Sequence, residues 1–326
     1  MKKNRVYITS SGVIIGMQDD NIHKNFKIKP EQYEPLLKNF QTRNIDRISK
    51  ISIAAAAMTL AKTGINIEKD SINDYMMILG TQYSALESIH NYDMEALKNG
   101  ALAVNPGLFP NTVLNSPACQ VSIQFSIAGP VYTVCNGLTS SLDSIGMGYN
   151  FIRMGLSSMV LAGGVDENAE LQILMKNSDK GLGEAGGFLM LESEKTITDN
   201  KKLAEVVGYK SQALNREQRV SLTETIANLI IDTAEYAGDS YCKISNMSLS
   251  SDFALQESEK LLDDICKKMN YNNSREYIET DWMGTCGIVQ ANKALIDINT
   301  NNKKNAMWVL INTDKDKVAV LILKGI

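Results

Sequence analysis

Between Gly129 and Gly146 the chain reads GPVYTVCNGLTSSLDSIG, an apolar run, a tight turn and the opening of a helix. The spacing predicts a strand over Val131 to Val134, a turn at Asn136 and Gly137, and a helix from near Thr139. Enzymes use such an elbow to hold a cysteine or serine at a helix N-terminus, where the positive end of the helix stabilises a thiolate or alkoxide. Here the residue at the apex is Leu138, which can be neither deprotonated nor acylated. Cys135 sits just before the turn, in a place where a small buried thiol fits better than a nucleophile.

Acid–base groups are scarce. The chain has two histidines, His23 and His90, both in its first third. Its five cysteines, Cys119, Cys135, Cys242, Cys266 and Cys286, are scattered, odd in number and without metal-ligand spacing. That usage fits a reducing, cytoplasmic setting and offers neither a disulfide frame nor a metal site. No cofactor is implied.

The elements that must position the elbow come from a chain of 326 residues, 44% hydrophobic and 21% charged, which suits a soluble globular protein of one large or two joined domains. A net charge of −4 without dense basic runs gives no nucleic-acid site. No segment approaches the roughly 20 apolar residues of a membrane span. RVYITSSGVIIG reads as a first strand rather than a signal peptide, because polar and glycine residues interrupt it. NIDRISKISIAAAAMTLAKTG predicts a helix with Asp46 as N-cap and Gly64 as C-cap, its alanines packed closely against a neighbour. YMMILG, SSMVLAGG, GGFLMLESE and LAEVVGY read as buried strands, and LFPNTVLNSPACQVSIQFSIAG as broken helix. The elbow helix should stop at Gly155. Helices follow at VSLTETIANLIIDTAEYAG and ALQESEKLLDDICKKM, with a strand at KISNMSLSS between them, and MWVLINT and KVAVLILK form a hairpin about DKDK. Alternating strands and helices indicate an α/β protein. The division expected is 1–208 for the half carrying the elbow and 209–326 for a second half, without a linker.

In order along the chain, VYITSSGVIIG, RNIDRISKISIAAAAMTLAKTGI, LFPNTVLNSPACQVSIQFSIAGPVYTV, IRMGLSSMVLAGGVDE and EAGGFLMLESE resemble segments of the β-ketoacyl synthases of the thiolase superfamily. The likeness is to the ketosynthase and chain-length-factor pairs of type II polyketide synthases. It implies a thiolase-like, five-layered α-β-α-β-α fold, shortened here, in an obligate dimer. The family pattern GPV-x-x-V-x-x-G-C-T-S-G-L-D, laid on GPVYTVCNGLTSSLD, puts its catalytic cysteine at Leu138. A frame shift to Cys135 would break the matches at Gly137, Thr139, Ser140, Leu142 and Asp143. The first catalytic histidine, of an HGTGT motif, falls at Ser248 or a near neighbour in NMSLSSDFALQESE. The second, of a GH-x-x-G-x-x-G motif, falls at Asp281 in TDWMGTCG, and the supporting lysine at Glu276. The glycine-rich GFGGTN loop is replaced by TDKDKV, and residues 168–180 are all that remain of a longer run of active-site loops.

Claisen condensation needs a thiolate to carry the acyl chain and basic groups to drive malonyl decarboxylation. Joint loss of all these groups implies a catalytically inactive, chain-length-factor-like subunit, partnered by an active ketosynthase and, through it, by an acyl carrier protein. The resemblance gives the dimer contact to the strand Val131, Tyr132, Thr133, Val134 and Cys135. It gives the tunnel gate to the segment holding Phe109, Thr112, Val113 and Ser116, which share a face if helical from about Pro110. Two alternatives stand beside this: a homodimeric scaffold that binds an acyl chain or acyl carrier protein, and a Cys135-dependent acyltransferase or thioesterase.

Overall fold

The computed structural model describes residues 4–18, 25–64, 75–169, 171–172, 180–197, 202–238 and 243–326; His23 and Cys242 lie outside them. Along the first part of the chain run β1 (Val6–Ile15), β2 (Met17–Gln18), β3 (Asn25–Lys27), α1 (Pro30–Tyr33), α2 (Arg47–Leu60), β4 (Tyr75–Gly80), α3 (Leu86–Asn99) and α4 (Ser116–Gln124). The elbow follows as β5 (Val131–Val134) and α5 (Ser140–Arg153), then β6 (Met159–Asp166), β7 (Leu182–Gly183) and β8 (Ala185–Ser193). The remainder holds β9 (Ala204–Ala213), α6 (Leu222–Ala237), β10 (Ile244–Ser251), α7 (Leu255–Lys268), β11 (Ser274–Tyr277), α8 (Cys286–Thr300), β12 (Met307–Thr313) and β13 (Lys317–Lys324).

Ten of these strands hydrogen-bond in the order β11-β10-β12-β13-β9-β1-β8-β6-β4-β5. The order contains a repeat. From β1 outward it runs β8, β6, β4, β5, and from β9 outward β13, β12, β10, β11, with the same sequence of antiparallel and parallel pairings. The halves join where Val6 to Ile8 of β1 pair antiparallel with Val206 to Ala204 of β9. The repeat changes over between β8 and β9, whereas the division expected at 208 falls inside β9.

Three apolar cores separate five layers. One packs α2 on the first half-sheet, through Ile48, Ile51 and Ala55 against Met77, Leu161 and Phe188. The central core holds α5 and α8 between the two half-sheets, with Leu142, Ile145, Ile288 and Ala291 against Ile8, Val160, Leu310 and Leu321. The third packs α6 and α7, through Ile226, Ile230 and Ile265, on β10, β12 and β13. This is the five-layered, thiolase-like arrangement.

Local sequence explains the elements near the site. Asp46 caps α2 by accepting from Ser49 N. Ala54, Ala55 and Ala56 are fully buried, and a Cβ on Gly12 of β1 would lie 2.6 Å from Thr59 N, so β1 and α2 are nearly in backbone contact. The helix ends at Leu60, not at Gly64, because hydrogen bonds from Lys62 and Thr63 back to Thr59 and Leu60 tighten its last turn. Gly155, at φ +74°, closes α5 as expected.

Candidate functional site

β5 runs straight into the elbow. Gly137 takes φ +65°, a single 3-10 turn covers Gly137–Thr139, and α5 starts at Ser140. Glycine is favoured at that φ, and a Cβ there would come within 3.4 Å of Asp314 Oδ2. Leu138 stands at the apex and is 2% exposed. It packs with Ala185, Trp282, Cys286 and Val289, and the partly buried Ile15, Phe26 and Ile278 close the cluster. An apolar plug therefore fills the point where the fold presents a nucleophile.

Asp143 ties the elbow to the second half. Its Oδ2 accepts from Asn136 Nδ2 at 2.8 Å, Thr139 Oγ1 at 2.8 Å and Lys317 Nζ at 2.5 Å, and its Oδ1 from Tyr209 OH at 2.6 Å. Burial first, and the Asp143 charge second, push the Tyr209 phenol well above its ordinary range. Lys317 comes from the β12–β13 hairpin, whose tip is TDKDK. That hairpin is also held by an ion pair of Asp316 with Arg219 at 2.7 Å. A charged clamp thus stands where the resemblance places a flexible glycine loop.

The second half builds a matching elbow. Met283 has φ +53°, Met283–Thr285 form a 3-10 turn, and α8 begins at Cys286. Asp281, the degenerate histidine position, is buried and bonded through its backbone to the β7 segment: its N donates to Gly181 O at 2.7 Å and its O accepts from Gly183 N at 2.9 Å. Its Oδ1 accepts from Met283 N at 2.8 Å, so its carboxylate caps the turn. Trp282 lies against Gly183, where a Cβ would fall 2.3 Å from the indole, and 5.6 Å from the Phe26 ring.

Of the other expected positions, Ser248 and Glu276 are register partners on β10 and β11, away from the apolar plug. Ser248 is buried within β10, upstream of the last strand residue Ser251, and accepts from Gln290 Nε2 at 3.1 Å. Gln290 Oε1 accepts in turn from Asn312 Nδ2 at 2.7 Å, which makes Ser248 part of an internal strut between β10, β12 and α8. Glu276 pairs with Lys293 of α8. The end of β10 is taken instead by Lys180, a residue the sequence did not flag. Its ammonium donates to Ser251 O and lies 5.0 Å from the Tyr277 ring. His90 is carried on α3, outside the plug.

A buried carboxylate network lies behind the first elbow. Asp166 ends β6 and accepts from Thr81 Oγ1 at 2.8 Å and from the backbone N of Gln82 and Tyr83, each at 2.9 Å. Burial outweighs these donors and pushes its carboxyl up to about 6. Glu167 is raised to about 7, also by burial, against the opposing pull of Arg47 at 3.0 Å. Arg47 also pairs with Glu184 at 2.6 Å. Cys135 is exposed after β5 rather than the small buried thiol expected there; partial desolvation and the Asp166 charge still push its thiol up, the reverse of what activates a nucleophile. Among the described residues no group of histidine, cysteine and carboxylate side chains is placed to hold a metal, and no helix is long and apolar enough to cross a membrane.

The expectation of one helix from about Pro110 is corrected. Phe109 and Thr112 sit on a 3-10 helix, Pro106–Thr112, Val113 is extended at φ −105°, ψ 143°, and Ser116 opens a separate helix, α4. Proline at 110 supplies no N–H for helix hydrogen bonding, which favours the break. The four residues therefore share no helix face: Phe109 is 58% exposed and Val113 exposed, but Ser116 is buried. The Phe109 ring lies 6.1 Å from that of Tyr92 on α3. β5 is the last strand of its half-sheet, an open edge carrying the exposed Tyr132, which packs 5.6 Å from the Phe151 ring.

Five layers, repeated half-sheets and a pair of elbows at the N-termini of α5 and α8 define a ketosynthase-type thiolase fold. The chain belongs to the β-ketoacyl synthase family: the sequence profile of the β-ketoacyl synthase N-terminal domain matches residues 8–187. It is 24% identical over 208 residues to 3-oxoacyl-[acyl-carrier-protein] synthase 2 of Vibrio cholerae, a match covering 56% of this chain and 50% of that one. The chain thus spans about half the length of the curated relatives it matches. Its fold is also that of the ishigamide ketosynthase/chain length factor, with a TM-score of 0.83 at 16% identity over 99% of this chain and 100% of the other. A type II polyketide synthase acyl-carrier protein in complex with its ketosynthase bound to the hexaketide gives 0.80 at 15% identity, over 99% and 100%.

Proposed function

We propose that this chain is a non-condensing, chain-length-factor-like subunit of a type II polyketide synthase, pairing with an active ketosynthase and shaping that partner's acyl tunnel. The observation that carries the proposal is Leu138, 2% exposed at the elbow apex and packed against Trp282 and Cys286 of the other half. A leucine cannot form the acyl thioester that condensation requires, and apolar side chains from both halves pack around it. Asp281 supports the same reading, since its carboxylate is engaged by Met283 N and an acid cannot replace an imidazole in stabilising an enolate. The growing chain and its carrier protein would then be held through the partner, with no cofactor, in the cytoplasm.

The two sheet edges support pairing along β5. The outer edge β11 reads Ser-Arg-Glu-Tyr, with Arg275 paired to Asp263 and Glu276 to Lys293, and such charged edges resist pairing. The β5 edge reads Val-Tyr-Thr-Val and carries no charge. Exposed Leu108, Phe109, Val113 and Leu114 precede it in the chain. Obligate interfaces of this class bury roughly 2,000 to 5,000 Å² and are mostly apolar. Size-exclusion with light scattering, alone and after co-expression with an active ketosynthase, tests the reading. A one-to-one heterodimer is expected; a stable homodimer indifferent to the ketosynthase would favour a scaffold instead.

A further inference from the structure

A cavity of about 430 Å³ opens between the start of α2, α3 and the 3-10 segment, and no elbow residue lines it. That volume is within the range of small-molecule sites. Ile45, Tyr92 and Leu108 give it apolar walls, and Asp46 and Glu95 bring two carboxylates. Among the described residues of its lining there is no lysine, arginine or histidine.

Asp46 is the pivotal group. It accepts from Ser49 N and from Ser88 Oγ, each at 3.2 Å, both neutral donors. Burial pushes its carboxyl above the ordinary range, and no cation among the described residues pairs with it. The neighbouring Arg47 is engaged by Glu167 and Glu184, with no contact to Asp46 among the described residues. Asn111, 6% exposed, also lines the cavity; its Nδ2 donates to Asn44 O at 2.8 Å, and its Oδ1 accepts from nothing among the described residues. A desolvated carboxylate and an unused amide oxygen beside apolar walls favour a ligand that donates hydrogen bonds and bears positive charge.

We propose that this cavity binds a small amphipathic cation, a primary ammonium or guanidinium group on a short apolar body. The ammonium meets Asp46 and Asn111 Oδ1, and the apolar body lies against Ile45, Leu108 and the Tyr92 ring. Leu108 also belongs to the apolar surface assigned above to ketosynthase pairing, so the site is tested on the unpaired chain, where it can fail without that reading failing.

The test is calorimetric titration of the full chain with phenethylamine, 2-phenylethanol and tetramethylammonium chloride at matched ionic strength. Saturable binding of phenethylamine alone is expected. Asp46→Asn, which keeps a good helix N-cap, should weaken it by about tenfold or more with little change in the unliganded melting temperature. Glu95→Gln on α3 gives a second charge removal should the first variant fold poorly, and Leu108→Trp should fill the cavity and abolish binding. No saturable phenethylamine binding, equal binding of the alcohol, or affinity unchanged in the charge variant and in Leu108→Trp would overturn the proposal.

Discussion

The ammonium of Lys317 lies 2.5 Å from Oδ2 of Asp143, joining the hairpin of the second half to the elbow of the first across 174 residues of sequence. Asp143 is almost fully buried and Lys317 mostly so. Removing one partner of such a pair leaves a charge stranded and costs roughly 3 kcal/mol. Lys317→Met should lower the urea midpoint accordingly. A midpoint within 0.5 kcal/mol-equivalents of wild type, roughly the scatter of neutral surface changes, would show that the clamp contributes nothing.

Leu138→Cys should fail to gain acylation from malonyl or acetyl carrier protein. The new thiol would sit inside an apolar plug, without a base and with Asp281 committed to Met283 N. Intact-mass spectrometry checks this, and a single acyl adduct on the variant would show that the site retains more chemistry than proposed. Leu138→Ala should instead cost about 2–5 kcal/mol by opening a cavity.

Asp166 and Glu167 set a pH dependence. Both carboxyls are raised when folded, to about 6 and about 7, so the folded state binds more protons than the unfolded chain between about pH 4 and pH 7. Their contribution therefore weakens stability as pH rises through that window. Melting temperatures from pH 5 to 8 should fall more steeply for wild type than for Asp166→Asn or Glu167→Gln. Identical slopes in all three would remove burial as the cause.

Phe109→Ala separates gating from packing. Phe109 is largely exposed in the single chain, so truncation should change the stability of that chain by no more than about 0.5 kcal/mol. In a reconstituted heterodimer the expected outcome is longer products at similar yield, read by product mass. Unchanged product length from intact heterodimers would move the gate away from Phe109.

What the sequence disclosed and what it hid divide along physical lines. β5, the turn at Gly137, α5 and its stop at Gly155 were readable because strand period, turn glycines and helix period all agree there. The β12–β13 hairpin was readable for the same reason. α3 was not read, since polar and charged residues dominate it and none of its residues is buried. β11 is short and charged, so it has no strand signature. The site network was hidden by distance: Arg47 meets Glu167 and Glu184 from 120 and 137 residues away, and no local pattern pairs them. Lys180 was hidden likewise, its Ser251 partner lying 71 residues on.

The most direct test of the central claim is native mass spectrometry of the chain co-expressed with an active ketosynthase and incubated with malonyl-loaded carrier protein. The expected species is a one-to-one heterodimer whose covalent acyl group resides on the ketosynthase alone. An acyl adduct on this chain, or a homodimer of it beside free ketosynthase, would contradict the account.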